Sequence, residues 1–288
     1  MDHELKKRPY GDTGEHLSLV GFGGIAVTSV EQPEANRLVR MAVERGVNYF
    51  DVAPTYGNAQ ERLGPALEPF RKDVFLACKT TLRDKEGASA ELRESLKTLR
   101  TDHFDLYQLH GLAKMDEADQ VLGPKGALEA FVEAREAGLV RFIGFSAHSE
   151  EVALRLIDWF NFDSMLFPFN FVTYYKGNFG SEVLKKAEQK GVARLALKAL
   201  ARCPWTDKTR QEQYPKCWYQ PVTDPEEQAL ALRWTLSQSV TAAIPPGHDD
   251  LFWRAVDIAE KFQPLTRAEL AEVKKRASGL EPIFKHET

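Results

Sequence analysis

Cysteine is scarce in this chain: Cys78, Cys203 and Cys217 are the only three among 288 residues. An odd count excludes a fully paired disulfide framework. Cys78 lies in the apolar run FLACK, where a thiol behaves as a small hydrophobe. Cys203 and Cys217 have no CxxC spacing and no neighbouring His to complete a metal ligand set, so no metal is expected. Long hydrophobic runs are missing too. No stretch reaches the roughly 18 apolar residues of a membrane helix, and the opening MDHELKKRPYGDTGEHLS lacks the apolar core of a secretory signal. Neither sign of charge dominates: Lys and Arg number 38 against 42 Asp and Glu, a net charge of −4. Phosphate backbones and anionic lipid surfaces favour a basic excess that is absent here. The expectation is a cytoplasmic protein with a small-molecule partner, binding neither nucleic acid nor membrane; spacing does not reveal its oligomeric state. What the chain does have is 43% hydrophobic and 10% aromatic residues, enough for a large core and too much for a disordered polymer.

One pattern repeats along the chain: apolar residues at helical spacings of three and four, a short turn, then a strand-like run of β-branched and aromatic residues. PEANRLVRMAVERG leads into VNYFDV, ASAELRESLKTLR into HFDLYQLH, and KGALEAFVEAREAG into LVRFIGFS. Gly46 and Gly138 stand where a left-handed helix cap is wanted. SEEVALRLIDWF before FDSMLFPF, SEVLKKAEQKG before VARLALKAL and DPEEQALALRWTLSQ before VTAAIPPG continue the alternation. With SLVGFGG and DVFLACK this makes eight strands, and a last helix follows Pro264 and Thr266. Eight β/α units over about 260 residues fit one closed parallel barrel better than an open sheet. Residues 201–223 form the longest irregular segment. Their three prolines, two tryptophans and two tyrosines suit either a lid over a site or a loop packed by its own aromatics.

A barrel of this kind builds its site at the C-terminal ends of its strands. Asp51 ends the second strand, Tyr56 follows in APTYGNAQ, Lys79 ends the third in FLACKT and His110 the fourth in DLYQLHG. Singly, Asp51 would cap a turn before Pro54, Tyr56 would be a surface tyrosine and His110 a hydrogen-bonded core histidine. A lysine closing an apolar strand is harder to place without a partner, and Asp51 on the neighbouring strand supplies one. An adjacent ammonium favours the phenolate, so Tyr56 beside Lys79 is expected to be a general acid with a lowered pKa. Asp51 would hold Lys79 charged, and His110 would donate a hydrogen bond to a substrate oxygen. No Ser or Cys nucleophile accompanies them, so the attacking species should come from a cofactor, with nicotinamide hydride the natural candidate.

These segments resemble the aldo-keto reductases, over nearly the whole chain: the hairpin-like RPYGDTGEHLSLVGFGG, then GVNYFDVAPTYGNAQERLG, LACKT, LRTDHFDLYQLHG and VRFIGFSAHS. The resemblance implies a single (β/α)8 TIM barrel over residues 1–288 with an N-terminal β-hairpin and a C-terminal extra helix. It also implies an NADP-dependent oxidoreductase, NAD remaining open, that reduces an aldehyde or ketone. The family's Asp, Tyr, Lys and His fall on Asp51, Tyr56, Lys79 and His110. Its cofactor-binding pattern maps onto Gly24, Ser146, Lys198, Ile244, Gly247 and Arg254, with departures. Ser146-Ala147-His148 replaces the usual Ser-Asn, Leu166 stands where a Gln is common, and Leu197-Lys198 where an aromatic often stacks on nicotinamide. GFSAHS and the lysine of LALKAL look like the branch related to iron-sulfur members, without their cysteine cluster. AAIPPGHDD resembles the phosphate-binding segment, where Gly247 permits close backbone approach; by itself it would also serve as a turn opening a helix. Arg254 is the cation expected to meet the 2′-phosphate. The weakened clamp leaves a second reading, a nucleotide-binding sensor or regulatory barrel with little turnover.

Overall fold

Residues 5–286 are described by the structure, a computed structural model. Eight parallel strands among them form the central sheet: β1 (Phe22–Gly23), β2 (Tyr49–Asp51), β3 (Phe75–Thr80), β4 (Phe104–Leu112), β5 (Val140–Ala147), β6 (Ser164–Pro168), β7 (Ala193–Leu197) and β8 (Ala242–Ile244). Each pairs in parallel with the next in the chain. A parallel bridge between Val20 and Ala243 joins the first strand to the last, with the Gly21 amide donating to the Ala243 carbonyl at 3.0 Å and the Ala243 amide to Leu19 at 2.9 Å. The result is the expected (β/α)8 barrel.

Helices alternate with these strands as expected: α1 (Gln32–Glu44), α2 (Ala59–Leu67), α3 (Lys85–Thr98), α4 (Met115–Leu122), α5 (Ala127–Glu136), α6 (Glu150–Trp159), α7 (Phe171–Tyr175), α8 (Ser181–Gln189), α9 (Lys208–Glu212), α10 (Pro225–Leu236), α11 (Asp249–Glu260) and the C-terminal α12 (Arg267–Ser278). Their inner faces follow the sequence pattern; α1 buries Ala35, Leu38, Val39 and Ala42, spaced three, one and three apart. Starts are set by side chains. Ser149 caps α6, Asp224 caps α10, and Thr266 with Glu269 forms a capping box on α12. Gly46 and Gly138 take φ of +84° and +74°, the left-handed conformation their positions called for. No helix among the described residues is long and apolar enough to cross a membrane.

The hairpin expected at the N-terminus pairs Lys7–Pro9 with His16–Ser18. It plugs the barrel floor: Tyr10 and Leu17 are fully buried, and the Tyr10 ring lies 5.0 Å from Phe75 and 5.5 Å from Phe142. Above it the barrel interior is filled by Tyr49, Ala77, Leu106, Leu166, Leu195 and Ala242, inward residues of successive strands.

Two connections differ from the sequence reading. Residues 111–123, between the DLYQLHG and KGALEAF segments that carry strand and helix patterns, contain α4, whose N3 Glu117 carboxylate accepts from the amides of Ala113 and Lys114. The segment 201–223 is not irregular. Ala201–Pro204 pairs antiparallel with Tyr219–Pro221 in a two-stranded ribbon that carries α9 between its arms. Three- and four-residue arms, each ending in proline, are too short to show a strand period, and only their cross-strand pairing defines them.

Helix α2 meets the end of α3 closely enough to give a stability prediction. A Cβ on Gly64 would lie 2.6 Å from the Thr98 carbonyl oxygen and 2.9 Å from the Leu99 Cα. Both are backbone atoms, so the helices must separate. Gly64→Ala is expected to destabilise by about 1–2 kcal/mol, even though alanine gains up to about 1 kcal/mol in helix propensity. Urea unfolding measures it; an unchanged or higher midpoint would show that this contact yields freely.

Candidate active site

Side chains alternate in and out along a barrel strand, so the last inward residue of each strand meets at the C-terminal mouth. Those residues are Gly23, Asp51, Lys79, His110, Ser146, Leu166, Leu197 and Ile244, one from each strand, and all eight line a single pocket of about 260 Å³. Tyr56, His148, Lys198, Lys216, Trp218 and Gly247 complete its wall. A wider, more open cleft of about 1010 Å³ lies at the opposite, N-terminal end of the barrel. Its charges answer one another, Arg71 meeting Asp105 at 3.0 Å and Arg141 meeting Asp105 at 2.7 Å.

Lys79 is fully buried and its ammonium contacts the Asp51 carboxylate. Burial opposes its charge, but Asp51 and Tyr56 outweigh that and leave its pKa above the ordinary lysine value. Two residues not singled out in the sequence support Asp51: Gln108 Nε2 donates to Oδ2 at 3.0 Å and the Tyr49 hydroxyl at 3.3 Å. Each stands two residues from a site residue, Tyr49 before Asp51 and Gln108 before His110, so the inward alternation was the signal that could have found them.

Tyr56 sits on a loop pinned by the Thr28 hydroxyl, which donates to its carbonyl at 3.1 Å, and by its own amide, which donates to Ala53 at 3.1 Å. The Lys79 Nζ is 5.6 Å from its ring centre. The expected fall in the phenol's pKa is not the net result. Burial is the larger effect and raises it, while Lys79 offsets this only in part. His110 meets the Tyr56 ring edge-on, centroids 5.8 Å apart. Burial, and then the Lys79 charge, push the His110 pKa down to about 3, so it is neutral at physiological pH.

The other site candidates divide. Ser146, Lys198, Ile244 and Gly247 line the pocket. Ser146 Oγ accepts from the Gly111 amide at 2.7 Å, which leaves its hydroxyl hydrogen free to donate. Gly24 is placed behind the wall: a Cβ there would lie 2.7 Å from Val52 Cγ2, so its smallness serves packing of the turn after β1 against the residue that follows β2. Arg254 lies outside the pocket lining, its Nη1 donating to the Thr223 carbonyl and to Gln228 Oε1, both at 2.9 Å. Within residues 201–223, Arg202 is tied to Glu227 at 3.0 Å. Lys216, which the sequence reading passed over, faces the pocket and donates to the Ala26 carbonyl at 2.7 Å, fastening the ribbon across the barrel mouth. The pocket wall therefore holds three lysines and one carboxylate, Asp51, which is already paired. Among the described residues no group of His, Cys, Asp and Glu is arranged to hold a metal.

A model of the aldo/keto reductase family matches residues 19–271, most of the chain. The chain belongs to that family. Its members are oxidoreductases that generally use nicotinamide cofactors. The chain is 30% identical over 180 residues to the uncharacterized oxidoreductase YqkF of Bacillus subtilis, 58% of this chain and 56% of that one. It is 31% identical over 171 residues to L-galactose dehydrogenase of Arabidopsis thaliana, covering 54% and 52%. Those alignments span about half the length of each relative. A solved structure, the aldo-keto reductase AKR11C1 of Bacillus halodurans in its holo form, superposes with a TM-score of 0.75 at 25% identity over 99% of both chains.

Proposed function

We propose that this aldo/keto reductase catalyses NADP-dependent reduction of an aldehyde or ketone to an alcohol. The observation that carries the reading is the buried Lys79, paired with Asp51 and 5.6 Å from the Tyr56 ring centre, in one pocket with a neutral His110. The Tyr56 hydroxyl would donate its proton to the carbonyl oxygen, and Lys79 would stabilise the phenolate left behind. Asp51, held by Gln108 and Tyr49, keeps Lys79 charged and aimed. A neutral His110 can present an N–H to the substrate oxygen without adding charge. A reduced nicotinamide, when bound, supplies the hydride for the carbonyl carbon.

The residues present fit such a cofactor. Ser146, Ile244 and Gly247 offer a hydroxyl, an apolar surface and a close-approaching backbone, and the pocket's surplus of lysines suits a phosphate-bearing ligand. Lys216, in the pocket wall, is the cation on the ribbon side for the phosphates, whereas Arg254 is held at Thr223 and Gln228 outside the lining. Asp249 and Asp250, both exposed in the first turn of α11, serve the helix dipole there. A cavity of 260 Å³ lies below the roughly 300–1,000 Å³ of pockets for drug-sized ligands, so it would hold the reacting end of a dinucleotide and leave the rest to extend beyond it.

Leu166 and Leu197 in the pocket floor favour a second reading, a barrel that binds the nucleotide as a sensor. Stopped-flow mixing separates the two. Protein-bound NADPH should be oxidised by a reactive aldehyde within catalytic times, at more than about 1 s⁻¹. Tight NADPH binding with no aldehyde-dependent oxidation would favour the sensor.

A further inference from the structure

Lys198 is a second amine of the pocket, partly buried, and among the described residues no carboxylate pairs with it. It follows the last residue of β7 and takes φ of +61°, a left-handed turn that breaks the strand's alternation; the residue lines the pocket beside Leu197. Its Nζ is 3.0 Å from His148 Nε2 and lies over two aromatic rings, 5.6 Å from the Trp218 centroid and 5.7 Å from Phe284. The His148 ring is itself stacked on Phe284 at 5.4 Å. A neutral His148 accepts one N–H, so an ammonium at Lys198 retains two donors for a ligand.

The position of this amine separates it from Gly247 and Lys216, two of the groups read as cofactor-binding, while Ser146 stands two residues from its partner His148. Gly247 and Lys216 cluster at the β8–β1 side, where Lys216 reaches Ala26 and a Gly247 Cβ would come within 2.9 Å of the Ala26 amide nitrogen. Lys198 lies between β5 and the C-terminal tail, and its charge is felt at His110. We propose that Lys198, steadied by His148 and walled by Trp218 and Phe284, is a specificity-determining residue that binds the carboxylate of a short oxo-acid whose carbonyl lies at Tyr56 and His110. This rests on the carbonyl-reductase reading and moves Lys198 from the cofactor, to which the sequence resemblance assigns it, to the substrate.

Electrostatics support that placement. Burial, and then the charge of Lys79, lower the Lys198 pKa to about 7. Lys79 from β3, His110 from β4, His148 from β5 and Lys216 from the ribbon share its pocket with Tyr56 and with Asp51 from β2, the one carboxylate of the lining, which is already paired with Lys79. The carboxylate of an incoming substrate would supply the missing countercharge and restore the ammonium.

The test pairs succinic semialdehyde with butanal, which has the same chain length and lacks the carboxylate. Wild-type protein with NADPH should prefer succinic semialdehyde in kcat/KM, and Lys198→Met should reduce that preference about ten- to a hundredfold, as for one charge-assisted contact. Lys198→Arg should restore part of it. An unchanged preference, or a loss confined to NADPH affinity, would assign the amine to the cofactor's diphosphate and overturn the proposal.

Calorimetric titration with succinate separates the subsite from the reductase reading. Succinate should bind NADP⁺-saturated wild-type protein, with affinity falling by up to about tenfold per unit as pH rises above 7 and the free amine loses its proton. Binding without turnover of either aldehyde would refute the reductase and leave the subsite standing. Absence of succinate binding, its displacement by NADP⁺, or a pH-independent affinity would overturn the subsite.

Discussion

Tyr56→Phe is expected to lower NADPH-dependent reduction of an aldehyde by about 10²- to 10⁴-fold, the range that a positioned general acid contributes. The ring remains and so does its edge-on contact with His110; only the hydroxyl is lost. NADPH affinity, followed by fluorescence titration, should change little. A fall in kcat and kcat/KM together marks an interaction made in the transition state, whereas a rise in KM alone would mark ground-state binding. Turnover within threefold of wild type would remove Tyr56 from the chemistry. His110, neutral because its pKa is near 3, would become the next donor to test, as an N–H rather than an imidazolium.

A second large effect is expected from Lys79→Met, in activity and in stability together. Loss of the ammonium removes the one effect that offsets burial at Tyr56, so the phenol's pKa rises further. Residual activity should then persist to higher pH, because the proton-donating form survives longer. An unmoved profile in a variant with measurable activity would break the coupling between the two side chains. For stability, the folded-state pKa of Lys79 is raised. Its contribution is therefore fully present below the ordinary lysine range and is lost as pH rises through the raised value. At neutral pH, Lys79→Met leaves Asp51 buried with two neutral donors, Gln108 and Tyr49, and no countercharge. Stranding one member of a buried pair costs about 3–5 kcal/mol, while replacing both members often costs far less. Lys79→Met with Asp51→Asn should accordingly melt higher than Lys79→Met alone. Equal or lower melting of the double variant would mean that the carboxylate is not the source of the strain.

Much of this protein was legible in one dimension. Helical spacing and short β-rich runs are local properties, set by which residues can face a core at a period of 3.6 or 2. Eight strands alternating with helices have few closed solutions. The same period of two carries Asp51, Lys79 and His110 to one mouth, because each is the last inward residue of its strand. The same rule points to the support behind them, because Tyr49 and Gln108 lie one inward position below Asp51 and His110.

What the sequence did not determine depends on contacts between distant residues. Lys216 fastens to Ala26, 190 positions away, and Phe284 reaches His148 from the end of the chain. No local pattern encodes either meeting, so the ribbon over 201–223 is irregular by sequence alone and the partner of Phe284 is not legible in it. Gly24 and Arg254 carried a family resemblance in their spacing, yet packing turned one toward Val52 and tied the other to Thr223 and Gln228. The direction of the Tyr56 shift was likewise a tertiary outcome. Sequence places a cation beside the phenol, but how much water the finished barrel excludes decides whether burial or charge prevails, and here burial does.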